Sequence, residues 1–471
     1  MTAPNFPLLA FFELSFVFSA AVDGQTAGKL FTVDSTADTN DVVPGDRTCA
    51  DAEGRCTLRA AVQEANTNTV TGRDIIIFAV PTPAVIDLTL GALTITAPNM
   101  SIVGPGTRRL TVQRAASESF PSRIFHIPNS GTNAVIRGLT IRNGLSGQLI
   151  PGGGIRVGPG STVLLYDMAI LNNAGGSGGG IENEGNLSVM RSLIASNTAG
   201  FQGGGIHSTS GSTTRIVNST ITNNEAPHGG GVWNAGSMVL VNDTVSHNNA
   251  TTAANAVISD PGGSVHVLNT IIAGNSSSAT AAMAGTFASL GNNVVTDARN
   301  STGFVNGTNA DKISDSNAID VLLGSLANNG GQTDTRMLQA GSPAINAGNG
   351  CIVDGSCTLP PGQILFTRWD QRILYWRPVG GTVDIGAVGY GANPVSGVGS
   401  FSGSFSPGTG LYVNSIVILT DTETNEKKYA AMGPFATFRF QNFRPGVVYV
   451  QEIRSKRLFS IPGPRLLPLF D

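Results

Sequence analysis

The chain has 471 residues, 60 of them glycine, with a formal net charge of -3 and a charged fraction of 13%. This length allows a large hydrophobic core and more than one domain, and the charge balance lacks the basic excess of a nucleic-acid-binding protein. We therefore expect a glycine-rich β protein with no nucleic-acid partner. No stretch is long and apolar enough to predict a transmembrane span.

Residues 1–22 have the length, the apolar core and the small-residue exit of a secretory signal peptide. Two features depart from that pattern. No Lys or Arg precedes Lys29, and Glu13 interrupts the apolar core. We expect residues 1–22 to be a signal peptide, and a buried N-terminal strand is the alternative.

The four cysteines form two close pairs, Cys49 with Cys56 and Cys351 with Cys357. Neither pair has a second Cys or His pair at the spacing of a zinc site. Two local disulfides fit this arrangement and indicate an oxidising compartment, whereas buried free thiols are the alternative.

The segment from Thr57 to Asn66 predicts a short amphipathic helix, with Thr57 as its N-cap. Its apolar face consists of Leu58, Ala61, Val62 and Ala65. A helix of this kind can cover the exposed edge of a β-sheet core.

The stretch from residue 152 to residue 249 repeats itself. Four Gly-Gly-Gly-apolar motifs begin at Gly152, Gly178, Gly203 and Gly229, so successive motifs are 25 or 26 residues apart. Each motif leads into two short apolar runs, and no ten-residue helical pattern intervenes. This period predicts a right-handed parallel β-helix, because the Leu-x-x-Leu-x-Leu pattern of a leucine-rich repeat is absent.

Equivalent residues of successive coils stack about 4.8 Å apart in a β-helix. The glycine triplets therefore indicate structural corners, since they precede strands and not the helix that a phosphate-binding loop requires. We expect an inward apolar column of Ile155, Ile181, Ile206 and Val232. We also expect an amide ladder at one turn, formed by Asn172, Asn197, Asn223 and Asn248.

The residues that follow the inward column should project from one outer face of the β-helix. They are Arg156, Glu182, His207 and Trp233. An aromatic ring beside charged and polar groups can contact a sugar, so this row is the candidate ligand-facing surface. The alternative is a purely structural ladder in which Arg156 and Glu182 pair. The five histidines do not recur at the coil period, and we predict no metal site, no cofactor and no catalytic residue.

Beyond Tyr390 the composition changes. Residues 391–395 are predicted to be a linker, and residues 396–471 contain four short strand patterns separated by turn residues. The runs from Gly433 to Phe440 and from Phe443 to Gly446 resemble a carboxypeptidase regulatory-like domain, which is a small β-sandwich without a peptidase site. Ala436 stands where that family usually has glycine.

Two further segments carry a second resemblance. The run from Cys56 to Asn66, followed by the strand pattern from Asp74 to Phe78, resembles the "CSLREAI" segment that opens many bacterial surface β-helix proteins. The run from Gly341 to Gly348 and the pattern from Val383 to Ala387 resemble the closing segment of the same proteins, often called choice-of-anchor Q proteins.

The resemblance implies a β-helix over residues 23–390, with capping and closing segments. It also implies export to the cell surface. One departure is Ala60, which stands where the family usually has an acidic residue, so the reciprocal capping bond of a capping box is lost.

Two function classes follow from these patterns. In the first, the chain is a secreted or cell-surface structural or adhesive protein that presents a carbohydrate-binding face. In the second, the β-helix is a polysaccharide lyase or glycoside hydrolase, which would need a cluster of carboxylates on one sheet. Glu182 and Glu184 face the same side of one strand, but no adjacent coil supplies a matching carboxylate, so the first class is favoured.

Overall fold

The structure is a computed structural model that describes residues 28–68, 72–128, 131–275, 281–360, 363–364, 369–372, 377 and 382–390. It also describes the backbone of six strands beyond residue 398. The predicted signal peptide at 1–22 and the predicted linker at 391–395 lie outside the described residues.

The chain winds into a right-handed parallel β-helix, which confirms the predicted fold. Each regular coil passes through three stacked parallel sheets, which we call ladder C, ladder A and ladder B in chain order. Ladder C consists of Leu93–Thr94, Phe125–Ile127, Ile155–Val157, Ile181–Asn183, Ile206–Ser208, Val232–Asn234, Val257–Ser259, the first half of Met283–Gly291, and Ser301–Thr302.

Ladders A and B complete each coil. Ladder A consists of Leu30–Val33, Asp74–Phe78, Asn99–Val103, Asn133–Arg137, Thr162–Tyr166, Asn186–Met190, Thr213–Val217, Ser237–Val241, Ser264–Leu268 and the second half of Met283–Gly291. Ladder B consists of Ala84–Leu88, Leu110–Arg114, Thr140–Arg142, Ala169–Leu171, Leu193–Ala195, Thr220–Thr222, Thr244–Ser246, Ile271–Ala273, Val294–Val295 and Lys312–Ile313.

A fourth sheet, ladder D, stands between ladders B and C in the middle coils. Its strands are Ala174–Ser177, Thr198–Gln202, Glu225–His228 and Asn249–Ala253. These strands contain glycine and small polar residues in place of the aliphatic pattern, so sequence reasoning did not find them.

Alternation along each strand separates the core from the surface. The predicted inward column is confirmed, because Ile155, Ile181, Ile206 and Val232 pair rung by rung and are fully buried. Successive side chains of a strand point to opposite faces, so the residue after each member of this column points outward.

The glycine triplets are corners, as predicted. Gly203 has a φ of 62°, a left-handed conformation that favours glycine. The next residue, Gly204, is closely surrounded by backbone, because an added Cβ would lie 2.4 Å from the carbonyl oxygens of Glu225 and Gly230. The first glycine therefore supplies the turn, and the second allows ladder D to approach ladder C.

The amide ladder exists, but half of its predicted members are wrong. Each side-chain Nδ2 donates to the Oδ1 of the next member at 2.9–3.0 Å. The members are Asn173, Asn197, Asn224, Asn248 and Asn275. Asn172 and Asn223 are exposed instead, with φ values of 54° and 57°. The first residue of each Asn-Asn pair adopts the left-handed turn, and the second turns its amide inward.

The N-terminal helix is Leu58–Asn66, and Thr57 is its N-cap, as predicted. The Thr57 hydroxyl accepts a hydrogen bond from the Ala60 amide at 3.1 Å. The first turn contains no acidic residue. The apolar face joins the main hydrophobic core, and the predicted disulfide between Cys49 and Cys56 precedes the helix.

Residues 319–390 form a strap along the outside of the β-helix. The strap contains an antiparallel pair, Leu323–Ala327 with Thr335–Leu338, a short helix, Cys351–Asp354, and a second pair, Thr358–Leu359 with Gln363–Ile364. A 3-10 turn, Thr308–Ala310, precedes it. The predicted disulfide between Cys351 and Cys357 lies within the strap.

The strap covers outward apolar residues of ladder A. Strap residues such as Ile352 and Val383 share one hydrophobic cluster with Val239 and Val241. Polar contacts reach coils that are far apart in sequence. Arg108 forms a salt bridge with Asp334 at 2.5 Å, and Asn292 Nδ2 donates to the Ala347 carbonyl at 2.8 Å. The strap therefore runs along several coils and does not simply close one end.

Beyond residue 398 all described strands pair antiparallel. Gly399–Ser404 pairs with Thr437–Phe443, and a second sheet has the order Lys427–Ala431, Ile416–Asp421, Val448–Arg454 and Arg465–Pro468. The β-sandwich of the resembled domain stays a prediction.

Candidate functional site

The outward residues of ladder C form one continuous row, which we call the C row. Each residue is the partner of the next in the parallel register of adjacent strands. The C row consists of Thr94, His126, Arg156, Glu182, His207, Trp233, Ile258 and Ala284. The structure thus brings the four predicted site residues together on four successive rungs.

The predicted pairing of Arg156 with Glu182 is wrong. Arg156 Nε donates to Glu184 Oε1 at 2.7 Å, while Glu182 contacts His207 on the next rung. The Nδ1 of His207 lies 2.9 Å from both carboxylate oxygens of Glu182. Glu184 lies just beyond the strand, where its carboxylate reaches back to Arg156. Both acidic side chains in the middle of the row therefore have a basic partner.

This middle part of the C row is shielded from water. The side chain of Glu182 is 3% exposed, that of His207 12% and that of Arg156 32%. The glycine corners contribute to the shielding, because an added Cβ at Gly152 would lie 3.0 Å from the Arg156 Cβ and 3.1 Å from the Glu182 Cβ. The row therefore has less contact with solvent than a fully exposed ladder.

Trp233 is half-buried. Its indole packs edge-on against the imidazole of His228 on ladder D, with ring centroids 5.9 Å apart and an interplanar angle of 80°. We expected this ring to have no packing partner, and the structure supplies one. The contact holds the indole in a fixed orientation while part of its surface stays accessible.

Two basic residues that sequence reasoning did not select lie at the amino-terminal end of the C row. Burial lowers the pKa of His126 to about 4, and the positive charges of Arg123 and Arg156 lower it further. Burial also lowers the pKa of the Arg123 guanidinium, and Arg156 acts in the same direction, whereas Glu182 and Glu184 oppose the shift. At neutral pH His126 is uncharged, and Arg123 remains a cation.

The position of Arg123 follows from the register. Phe125 pairs with Ile155, so Arg123 occupies the place that Gly153 has in the next coil. The coil that starts at Phe125 is 30 residues long, which is why a search at a period of 25 residues missed His126 and Arg123. Counting backwards from Ile155 to the preceding apolar-polar-apolar strand, Phe125–Ile127, would have found them.

Within the part of the chain that the structure describes, no group of three or more His, Cys, Asp or Glu residues could hold a metal ion. A search of the same residues finds no helix with the length and hydropathy of a membrane span. The row offers fixed cations, one carboxylate–imidazole pair and one aromatic ring. These groups can form hydrogen bonds, ion pairs and a stacking contact with a ligand.

A family model described as "right handed beta helix region" matches residues 123–249. This match covers less than half of the chain and includes the C row from His126 to Trp233. No curated protein and no solved structure matches the chain. The comparison therefore supports the β-helix fold of the central coils.

Proposed function

We propose that this protein is a secreted or cell-surface structural or adhesive protein, and that its C row binds carbohydrate. The observation that carries the proposal is the alignment of Trp233 with His207, Glu182 and Arg156 on successive rungs. A sugar ring presents an apolar face to an aromatic ring and hydroxyl groups to polar side chains, so this alignment offers partners for both.

Two disulfides support the proposed export. Cys49 is bonded to Cys56 and Cys351 to Cys357, and described residues contain no free cysteine. Disulfides persist in oxidising compartments and are rare in the cytosol. The resemblance of the opening and closing segments to bacterial surface β-helix proteins supports the same location.

The pairing of the acidic residues favours binding over turnover. Glu184 is held by Arg156, and Glu182 is held by His207. A glycoside hydrolase needs two carboxyl groups placed on either side of the scissile bond, one of them available as a proton donor. A polysaccharide lyase or hydrolase remains the alternative class, but no contact in the C row favours it.

A glycan array tests the proposal with the purified full-length protein. Replacing Trp233 by Ala should weaken retention of the bound glycan about tenfold, because an aromatic contact contributes about 1 kcal/mol. Tyr390→Ala is the matched control, since Tyr390 is an exposed aromatic residue of the strap. Both variants should keep the circular dichroism spectrum of the wild type.

Three results would contradict this proposal. Equal retention by wild type and Trp233→Ala would show that the indole takes no part in binding. Unfolding of the Trp233→Ala variant would show that the ring is chiefly structural. Release of shortened oligosaccharides from a bound polysaccharide would show turnover, and the enzyme alternative would then replace the binding protein.

A further inference from the structure

We propose that the amino-terminal end of the C row selects an acidic glycan, with Arg123 as the group that contacts the ligand's carboxylate or sulfate. This inference rests on the proposed carbohydrate-binding function and names its ligand class. It concerns Arg123, His126 and Arg156, which lie together at one end of the row.

The first step is the balance of charge around the C row. The Arg156 guanidinium is neutralised by Glu184, and the Glu182 carboxylate is hydrogen-bonded to His207. Arg123 is left over. Among the residues that the structure describes it forms no hydrogen bond and no ion pair, although it is half-buried.

A cation in this position lacks a counter-ion. Removing a charge from water costs free energy unless an opposite charge or a set of hydrogen-bond acceptors replaces the water. Because the two nearby carboxylates already have partners, an acidic group of a ligand is the natural acceptor. A guanidinium is suited to this task, since its planar fork can donate two parallel hydrogen bonds to a carboxylate or a sulfate.

The second step is the state of His126. Its pKa of about 4 leaves the imidazole neutral under physiological conditions. A neutral imidazole has one donor and one acceptor nitrogen and can bind a sugar hydroxyl, so it adds no second positive charge. The charge preference of this end of the row then depends on Arg123.

The third step is the distance between the two ends of the site. Trp233 lies four rungs from His126 in the register of ladder C. Four rungs span about 19 Å at a spacing of about 4.8 Å. An extended oligosaccharide that lies along the row can therefore contact the indole with one unit and Arg123 with another.

The test uses two ligands that differ only in charge: a hexamer of glucuronic acid and its methyl ester. Binding of each to the purified full-length protein is measured by titration calorimetry at low salt. The wild type should bind the acid about tenfold more tightly than the ester, because a hydrogen bond to a charged group adds roughly one factor of ten in affinity. The difference should shrink at high salt, where exposed charges are screened.

Three variants assign the effect. Arg123→Gln should bind both hexamers with the affinity of the wild type for the ester, and Arg123→Lys should recover part of the preference. Arg142→Gln is the matched control, since Arg142 lies on ladder B and donates to Gln113. It should keep the full preference for the acid.

The outcomes separate this inference from the proposed function. If acid and ester bind equally and Trp233→Ala weakens both, the row binds carbohydrate and the acidic preference is refuted. If Arg123→Gln keeps the wild-type preference, Arg123 is not the contact and the inference fails. If neither hexamer binds and the glycan array is empty, the carbohydrate-binding function itself fails and the inference fails with it.

Discussion

The Nδ1 of His207 lies 2.9 Å from both carboxylate oxygens of Glu182, which is its partner one rung earlier on ladder C. The pair is almost fully shielded from solvent. A buried carboxylate that loses its hydrogen-bond partner keeps the full cost of its lost hydration. The stability of the middle coils should therefore depend on the two side chains jointly.

We expect His207→Ala to lower the free energy of unfolding by about 1–3 kcal/mol, because it leaves Glu182 unpaired in a shielded position. The double variant Glu182→Gln/His207→Ala should be less destabilised than the sum of the two single variants, with a coupling of about 1 kcal/mol. Denaturant unfolding of the four proteins measures this coupling. Strict additivity would show that the contact does not stabilise the fold.

The amide ladder gives a second prediction. Asn224 accepts from the backbone and side-chain nitrogens of Asn197 and donates to the Ile194 carbonyl and to Asn248. Asn224→Ala should cost about 3 kcal/mol, since it leaves several buried polar groups unpaired.

The control for this prediction is Asn172→Gly. Asn172 is exposed and has a positive φ of 54°. Glycine adopts this conformation without strain, so the substitution should change the free energy of unfolding by less than about 0.5 kcal/mol. A larger loss in Asn172→Gly than in Asn224→Ala would reverse the assignment of the ladder.

The disulfides give a third prediction. Peptide mapping by mass spectrometry without reductant should show Cys49 joined to Cys56 and Cys351 joined to Cys357. Replacing Cys351 and Cys357 by Ser should destabilise the strap by about 2 kcal/mol, because a short closed loop is lost. Limited proteolysis should then cut within residues 319–390 sooner than in the wild type.

The N-terminal pair provides the matched variant. Replacing Cys49 and Cys56 by Ser should accelerate cleavage near the helix Leu58–Asn66 and leave the strap unchanged. Free thiols in the exported protein would remove the main support for an extracellular location. The same cleavage pattern in both variants would show that the disulfides do not act locally.

The fourth prediction concerns pH. The pKa of His126 is about 4 in the folded protein and 6.5 as its ordinary value. As the pH falls, the unfolded chain therefore binds this proton before the folded protein does. The contribution of the neutral imidazole to stability is present above about pH 6.5 and is lost as the pH falls to about 4.

His126→Asn should remove this part of the acid sensitivity. We expect its melting temperature to fall less than that of the wild type between pH 7 and pH 4, since Asn does not titrate. Differential scanning calorimetry at several pH values measures both curves. Parallel curves would show that another group causes the loss of stability over this range.

The sequence by itself determined the features that repeat or that form within a few residues. The coil period defined the parallel β-helix and the inward column of Ile155, Ile181, Ile206 and Val232, because equivalent residues of successive coils must stack. The helix and its N-cap, Thr57, were predicted for the same reason, since capping is a contact within one turn. The register also placed the four predicted residues of the C row in line.

The tertiary structure decided the features that depend on a shift of one residue or on distant segments. The sequence showed two adjacent asparagines at residues 223 and 224, and only the backbone conformation selects which of them enters the core. Arg156 found Glu184 and not Glu182 because the His207 imidazole already occupies Glu182.

The course of the strap and the position of Arg123 are further examples. The strap joins Asp334 to Arg108, a contact between residues more than 200 positions apart that no local pattern encodes. Arg123 reaches the C row across a coil that is longer than the repeat. Periodicity specifies which residues share a column, whereas side-chain partners depend on which groups remain unpaired once all coils have stacked.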